Sequence, residues 1–198
     1  MLLGEDVRGR LAEEIARLRG LSRSVAWTVP ENLHITLKFL GPIELTQRAL
    51  VATALARLAS SVPSFDITLR GLGAFPSLTR PRVIWGGVDD AGAHALITLA
   101  DSVERALTPL GFSAEERFVP HVTLGRVRQP RRDPVLTEAL ALASTRDFGG
   151  VHVDRIALMR SALSPRGARH DELATWALSR SSDRGDRGEV GDGTRRTD

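Results

Sequence analysis

The sequence contains no cysteine, a single lysine and no long apolar run. Without cysteine the chain forms no disulfide, no thiolate metal site and no cysteine nucleophile. A helix that spans a bilayer needs roughly 20 continuous apolar residues, and no stretch approaches that length. The N-terminus turns acidic at Glu5 and Asp6, which is too early for a secretory signal. We therefore expect a soluble, cytoplasmic protein that does not associate with a membrane.

Positive charge is carried almost entirely by arginine, because Lys38 is the one lysine among 27 basic residues. Arginine is suited to bidentate phosphate binding, but coding bias gives the same excess. Coding bias explains it better here, since the arginines are spread along the whole chain. The formal net charge of +3 does not by itself require a nucleic-acid partner.

The hydrophobic pattern predicts four helices and seven strands. Helical spacing of apolar residues is found over residues 5–19, 46–60, 91–110 and 134–144. Extended patterns are found over residues 24–28, 33–40, 65–69, 82–88, 121–127, 151–159 and 173–178. A loop rich in Gly and Pro is predicted over residues 71–81. Interleaved strands and helices without long apolar strands favour an α+β fold with antiparallel sheets.

The order of these elements suggests a weak internal repeat. A strand that carries His-x-Thr-Leu is followed by a helix and further strands in both halves of the chain. We expect residues 1–180 to form one bilobal domain, in which two similar lobes face each other across a cleft. Residues 181–198 (SSDRGDRGEVGDGTRRTD) have almost no apolar residue and are expected to be a disordered polar tail.

Catalytic residues are expected in two motifs, His34-Ile35-Thr36-Leu37 and His121-Val122-Thr123-Leu124. Alternate residues of a strand share a face, so each motif presents one imidazole and one hydroxyl together. Histidine can be neutral or charged near neutral pH, so one imidazole can accept a proton while the other donates one. A single His-x-Thr is commonly structural, whereas two copies in matching settings indicate a functional pair.

The chain resembles the 2H phosphoesterase superfamily, and within it the RNA 2′,3′-cyclic phosphodiesterases, also described as 2′-5′ RNA ligases. The two motifs carry this resemblance. Flanking stretches support it over roughly residues 5–180, namely Val29-Pro30-Glu31-Asn32-Leu33, Phe39-Leu40-Gly41, Phe75-Pro76, Pro81-Arg82-Val83-Ile84-Trp85 and Phe118-Val119-Pro120.

The resemblance implies a bilobal α+β fold with a cleft between two antiparallel sheets and helices outside. It implies hydrolysis of 2′,3′-cyclic phosphates on RNA 3′ ends or nucleotides to 2′-phosphomonoesters, without metal or cofactor. His34 would protonate the departing O3′, and His121 would activate water. Thr36 and Thr123 would hold the phosphate.

Arg126 would be a further phosphate ligand in that family pattern, and Phe39 a surface on which a base stacks. Both residues lie five positions after their histidine, which is the wrong parity for the cleft face of a regular strand. Gly125 permits a bulge that would re-aim Arg126. Phe39 is either a core residue or a stacking surface, and Arg126 is either a ligand or an ordinary surface charge.

The other histidines are interpreted as structural or exposed: His94 at a helix start, His152 at a strand edge and His170 in a polar loop. The family often has Tyr at the position of His170, which leaves an accessory role open. Trp27, Trp85 and Trp176 are expected in the core because of their apolar flanks. No ligand spacing typical of zinc occurs.

Two alternatives to the phosphodiesterase remain open. The first is an RNA-end binding module without turnover, and the second is sealing or hydrolysis of a 2′-5′ linkage at the same site. The binding module is considered because the sequence departs from the family pattern at its start. Members of the family usually begin with an apolar strand, whereas only Met1-Leu2-Leu3 precedes the first helix signal here. We expect a monomer whose first lobe lacks that strand unless upstream residues supply it.

Overall fold

All four predicted helices are present in the computed structural model, which describes residues 3–113, 117–129, 132–164 and 167–180. Their bounds lie within three residues of the predicted ones. They are α1 (Glu5–Leu21), α2 (Leu45–Ala59), α3 (Asp90–Leu107) and α4 (Pro134–Leu142). The predicted tail over 181–198 lies outside the described residues.

Helix α3 shows how local sequence sets these bounds. The Asp89 carboxylate caps the helix by accepting hydrogen bonds from the backbone N–H of Gly92 (3.2 Å) and of Thr68 (3.0 Å). The buried residues Leu96, Leu99, Val103 and Leu107 recur at helical spacing. A short 3₁₀ turn follows, and Gly111 ends it at a φ of 87°.

The described strands form two antiparallel sheets. A five-stranded sheet has the order β1-β4-β3-β2-β5, and β6 pairs with β7 in a second sheet. The strands are β1 (Val25–Trp27), β2 (Phe65–Phe75), β3 (Val83–Val88), β4 (Val122–Val127), β5 (Asp147–Val153), β6 (Arg155–Ser164) and β7 (Gly167–Ala177). The predicted α+β class with antiparallel sheets is confirmed.

The predicted strand over residues 33–40 is wrong, because bridge pairing is confined to His34 and Ile35, of which Ile35 pairs with Val122. Beyond Ile35 the chain is irregular. Leu37 and Leu40 still pack against the core, although they are three residues apart. The alternation of the sequence therefore does not continue in the structure beyond Leu37.

The predicted loop over residues 71–81 is wrong in its first half, since β2 continues to Phe75. Gly71 marks a register shift in the pairing with β3, at a φ of 78°, and not the end of the strand. Gly73 leaves room for the indole of Trp85, whose Cζ2 would be 2.2 Å from a Cβ placed there. Both glycines belong to the strand.

The C-terminal strands were also misplaced by the sequence pattern. The predicted strand over 151–159 spans the end of β5 and the start of β6, which meet at Asp154. The predicted short strand over 173–178 is the end of β7, which begins at Gly167. Polar residues from Arg169 to Glu172 conceal the strand pattern, and Arg169 and Glu172 are both exposed.

A single core connects the five-stranded sheet with the helices that cover one face of it. Leu11 and Leu18 of α1, Leu96 of α3 and Ile84 of β3 are all completely buried. Leu11 lies against Gly86 of β3, at van der Waals distance from a Cβ placed on that glycine. Helix packing on this face leaves the opposite face of the sheet for other side chains.

Candidate active site

The two motif segments meet side by side at one β-bridge. Ile35 and Val122 pair in an antiparallel manner, and neither side chain has any exposed surface. Alternate residues of an extended chain point to opposite sides. The residues that flank each member of this pair therefore lie on the side away from the core.

Those flanking residues are the histidines and threonines of the two motifs. In an antiparallel pair the neighbours of bridged residues also lie opposite each other. His34 thus lies opposite Thr123, and Thr36 lies opposite His121. The structure brings all four predicted site residues together, with each imidazole beside the hydroxyl of the other motif.

Both motif histidines are held in the same way by the backbone. Nδ1 of His34 donates to the carbonyl of Asn32 (2.7 Å), and Nδ1 of His121 donates to the carbonyl of Val119 (2.8 Å). A carbonyl can only accept, so Nδ1 carries hydrogen in either protonation state. Nε2 is then the atom at which each ring gains or loses a proton.

The surroundings of His34 disfavour its charged form. Burial lowers the pKa of this imidazole, and the hydrogen bond to the Asn32 carbonyl opposes that effect. Positive charge on His170 and His121 lowers the pKa of His34 further. His34 in the free protein therefore loses its proton at a lower pH than an ordinary histidine.

An aromatic chain supports His121 from the neighbouring strands. The rings of Phe75 and His121 pack edge to face with centroids 5.1 Å apart, and Trp85 lies 5.3 Å from Phe75. Trp85 pairs with Gly73 of β2 and Thr123 of β4, so its indole lies on the His121 side of the sheet. The expectation of a core position is wrong for Trp85, while Trp27 and Trp176 do pack against the core.

A bulge in β4 changes the face to which Arg126 belongs. Trp85 pairs with Thr123 and Ile84 with Gly125, so Leu124 is an extra residue opposite β3. Arg126 then pairs with Val83, two residues from Trp85, and shares the face of Thr123. The bulge expected near Gly125 is present, and it is tight: a Cβ there would be 2.7 Å from Val25.

Phe39 is not a core residue, because its side chain is 72% exposed. It lines a cavity of about 450 Å³ together with Gln47 of α2 and Phe112, and neither motif histidine lines that cavity. The segment is anchored by Lys38, whose ammonium contacts the Glu104 carboxylate (2.8 Å) and the Ser113 carbonyl (2.7 Å). The stacking role of Phe39 stays a prediction.

His170 is the site residue that sequence reasoning misplaced. It lies in β7 and not in a loop, and its ring packs edge to face against His34 with centroids 4.8 Å apart. The only indication in the sequence that position 170 belongs to the site was its match to a position at which the family often has Tyr. His94 is exposed in α3, and His152 of β5 pairs with Asp66, both as expected.

Across residues 3–113, 117–129, 132–164 and 167–180, no group of three or more His, Asp or Glu is placed to hold a metal ion. Over the same ranges, no helix has the length and apolar character needed to cross a bilayer.

An α+β fold that places two His-x-Thr motifs on one face defines a two-histidine class of site. Residues 7–164 match the family model described as the 2′-5′ RNA ligase superfamily. The chain belongs to that superfamily.

Curated relatives and solved structures agree with this membership. An Aeropyrum pernix protein named RNA 2′,3′-cyclic phosphodiesterase is 42% identical over 77% of this chain and 90% of its own. A Thermotoga maritima protein of the same name is 34% identical over 83% and 86%. The crystal structure of a Thermus thermophilus protein, TT0787, is 29% identical, with a TM-score of 0.75 over 90% and 94%. The E. coli LigT structure with 3′-AMP shares the fold at a TM-score of 0.71, covering 91% and 95% at 24% identity.

Proposed function

We propose that this protein hydrolyses 2′,3′-cyclic phosphates on RNA 3′ ends to 2′-phosphomonoesters, with His121 as general base and His34 as general acid. The observation that carries the proposal is the Ile35–Val122 bridge, which sets two imidazoles and two hydroxyls on one face. Relatives named RNA 2′,3′-cyclic phosphodiesterase, 42% and 34% identical to this chain, support the same substrate.

The first half of the reaction forms the new P–O bond. Neutral Nε2 of His121 accepts a proton from water as the water oxygen attacks phosphorus. Charge gathers on the non-bridging oxygens as the bond forms. The hydroxyls of Thr36 and Thr123 donate to those oxygens, and Arg126 adds a charged donor from the same face.

The second half breaks the bond between phosphorus and O3′. Charged Nε2 of His34 gives its proton to O3′, which leaves as the 3′-hydroxyl while the phosphate stays on O2′. The environment that lowers the pKa of His34 makes its imidazolium a stronger acid. The anionic phosphate of the substrate favours the charged ring, so binding restores the proton that burial disfavours.

The proposal is tested with a short oligonucleotide that ends in a 2′,3′-cyclic phosphate, in the presence of EDTA. The wild-type protein should release only the 2′-phosphate. His34→Ala and His121→Ala should each lower kcat/KM by about 10²- to 10⁴-fold. His94→Ala removes an exposed imidazole of α3 and should keep the wild-type rate. Full activity in both site variants would refute the assignment.

A second substrate separates the acid from the base. When sulfur replaces O3′, the leaving thiolate needs no protonation, whereas water still needs a base. His34→Ala should therefore recover most of its rate on the cyclic phosphorothiolate, and His121→Ala should not. Recovery in His121→Ala alone would reverse the two roles.

The family description favours a 2′-5′ linkage as a second candidate substrate. Sealing and hydrolysis can share one site, but water is present at about 55 M and sealing must hold two RNA ends in place. Hydrolysis of the cyclic phosphate should therefore be faster. Faster turnover of 2′-5′ oligonucleotides in the same panel would reverse this order, and tight binding without product would indicate a binding module.

A further inference from the structure

His170 brings a third imidazole to the site from the second sheet. Its ring centroid is 4.8 Å from that of His34, with an angle of 66° between the ring planes. Nδ1 of His170 is 2.9 Å from Oγ of Ser161, its cross-strand partner in β6. The strand register and this hydrogen bond together fix the ring against His34.

The hydrogen-bond partner of His170 differs in kind from those of the motif histidines. A hydroxyl can donate or accept, so Ser161 can remain bonded to Nδ1 in both tautomers and in the charged form. His170 can therefore gain a proton without losing its partner. Its ring can thus hold His34 in place whether His170 is neutral or charged.

Further ionisable groups among the described residues lie on the elements around this pair. His121 acts on His34 from β4. On the face of β7 that carries His170, the strand register also places Glu172, two residues further along. Arg160 and Asp171 lie on the opposite face of the hairpin and pair with each other at 2.8 Å. The three imidazoles are hydrogen-bonded to two carbonyls and a hydroxyl.

We propose that His170 is a positioning residue of the reaction: it holds the ring of His34 edge-on and places positive charge beside it when protonated. The inference rests on the proposed role of His34 as proton donor. A charge at this position favours release of the proton from His34 to the leaving oxygen. It also adds to the attraction of the site for an anionic phosphate.

The test compares His170→Phe, which keeps a ring against His34 but cannot be charged, with His170→Ala, which removes both. Loss of the neighbouring charge should raise the midpoint of the His34 titration, followed by NMR of the imidazole, by about 0.3 to 1 pH unit in His170→Phe. His94→Ala is the matched control and should leave that midpoint unchanged. The NMR titration needs no catalytic activity. It therefore tests the role of His170 even if the protein does not catalyse the proposed reaction.

The kinetic arm uses the pH dependence of kcat/KM on the cyclic-phosphate oligonucleotide. A bell-shaped profile has its optimum midway between the pKa values of acid and base, so His170→Phe should move the optimum upward by about half the NMR shift. His170→Ala should also lose about tenfold in kcat, because an unsupported donor is misplaced. A His34 midpoint and a pH optimum that both stay at wild-type values in His170→Phe would overturn the inference, whatever the rate of His170→Ala.

Discussion

Gly73→Ala should disturb His121, the proposed general base, from a distance, because the indole of Trp85 packs directly on Gly73. A Cβ at position 73 would lie 2.2 Å from Cζ2 and 2.3 Å from Cη2 of Trp85. Carbon atoms in contact normally stay about 3.5–4.0 Å apart, so the indole must move by roughly 1.5 Å. A Cβ at position 87 would also lie only 3.1 Å from Cζ3 of Trp85, so the indole has little free space near Gly87 as well.

The expected cost follows from the contacts of that ring. Forcing one extra carbon into a packed site typically destabilises a protein by about 1–3 kcal/mol. Trp85 packs on Phe75, and Phe75 packs on the ring of His121. A displaced indole should therefore shift the ring of His121, and for a general base a shift of about 1 Å can lower the rate as much as a hundredfold.

Urea unfolding and kcat/KM on the cyclic-phosphate substrate measure the two effects. Gly9→Ala in α1 is the matched control, since no atom lies within 4 Å of its new Cβ. It should stabilise the protein by about 0.5–1 kcal/mol and leave the rate unchanged. In a protein that already carries Trp85→Leu, Gly73→Ala should lower the free energy of unfolding much less than it does in the wild type. Wild-type stability and rate in Gly73→Ala, or an equal cost in the Trp85→Leu background, would refute the reasoning.

Three further predictions concern the donor, the phosphate ligands and the anchor of the first motif. Dividing kcat/KM for the cyclic phosphate by kcat/KM for the phosphorothiolate should give a ratio that follows the protonated fraction of His34. Because the pKa of His34 is lowered from 6.5, this ratio should fall with rising pH, with a midpoint below 6.5. A midpoint well above that value contradicts the prediction. Thr36→Val should lower kcat/KM about ten- to a hundredfold while Thr36→Ser keeps most of it, and equal rates in both would exclude the hydroxyl as a phosphate donor. Lys38→Met leaves the Glu104 carboxylate without its ammonium partner and should cost about 2–4 kcal/mol in urea unfolding, whereas exposed Arg57→Met should stay within about 0.5 kcal/mol.

The paired motifs could be predicted from sequence because their geometry depends only on the two-residue period of extended chain. That period holds around Ile35 and Val122, where one bridge is enough to fix both faces. It does not hold beyond Thr36, and the exposed position of Phe39 depends on an irregular turn that no period describes.

Arg126 and His170 show two other limits of sequence reasoning. The face of Arg126 depends on one extra residue in β4, and a glycine allows such a bulge without requiring it. His170 lies among charged residues that resemble a loop, and the strand is shown by the pairing of β7 with β6, in which His170 lies opposite Ser161. The contact between His34 and His170 could not be predicted from the sequence, because no local pattern specifies which imidazoles from different elements meet.

The crossed arrangement at the Ile35–Val122 bridge has a consequence for how the proposed site can be lost. His34 lies opposite Thr123 and Thr36 lies opposite His121, so each imidazole–hydroxyl pair joins one residue from each half of the chain. A substitution that separates the two segments would therefore disturb both pairs at once, even with all four side chains intact.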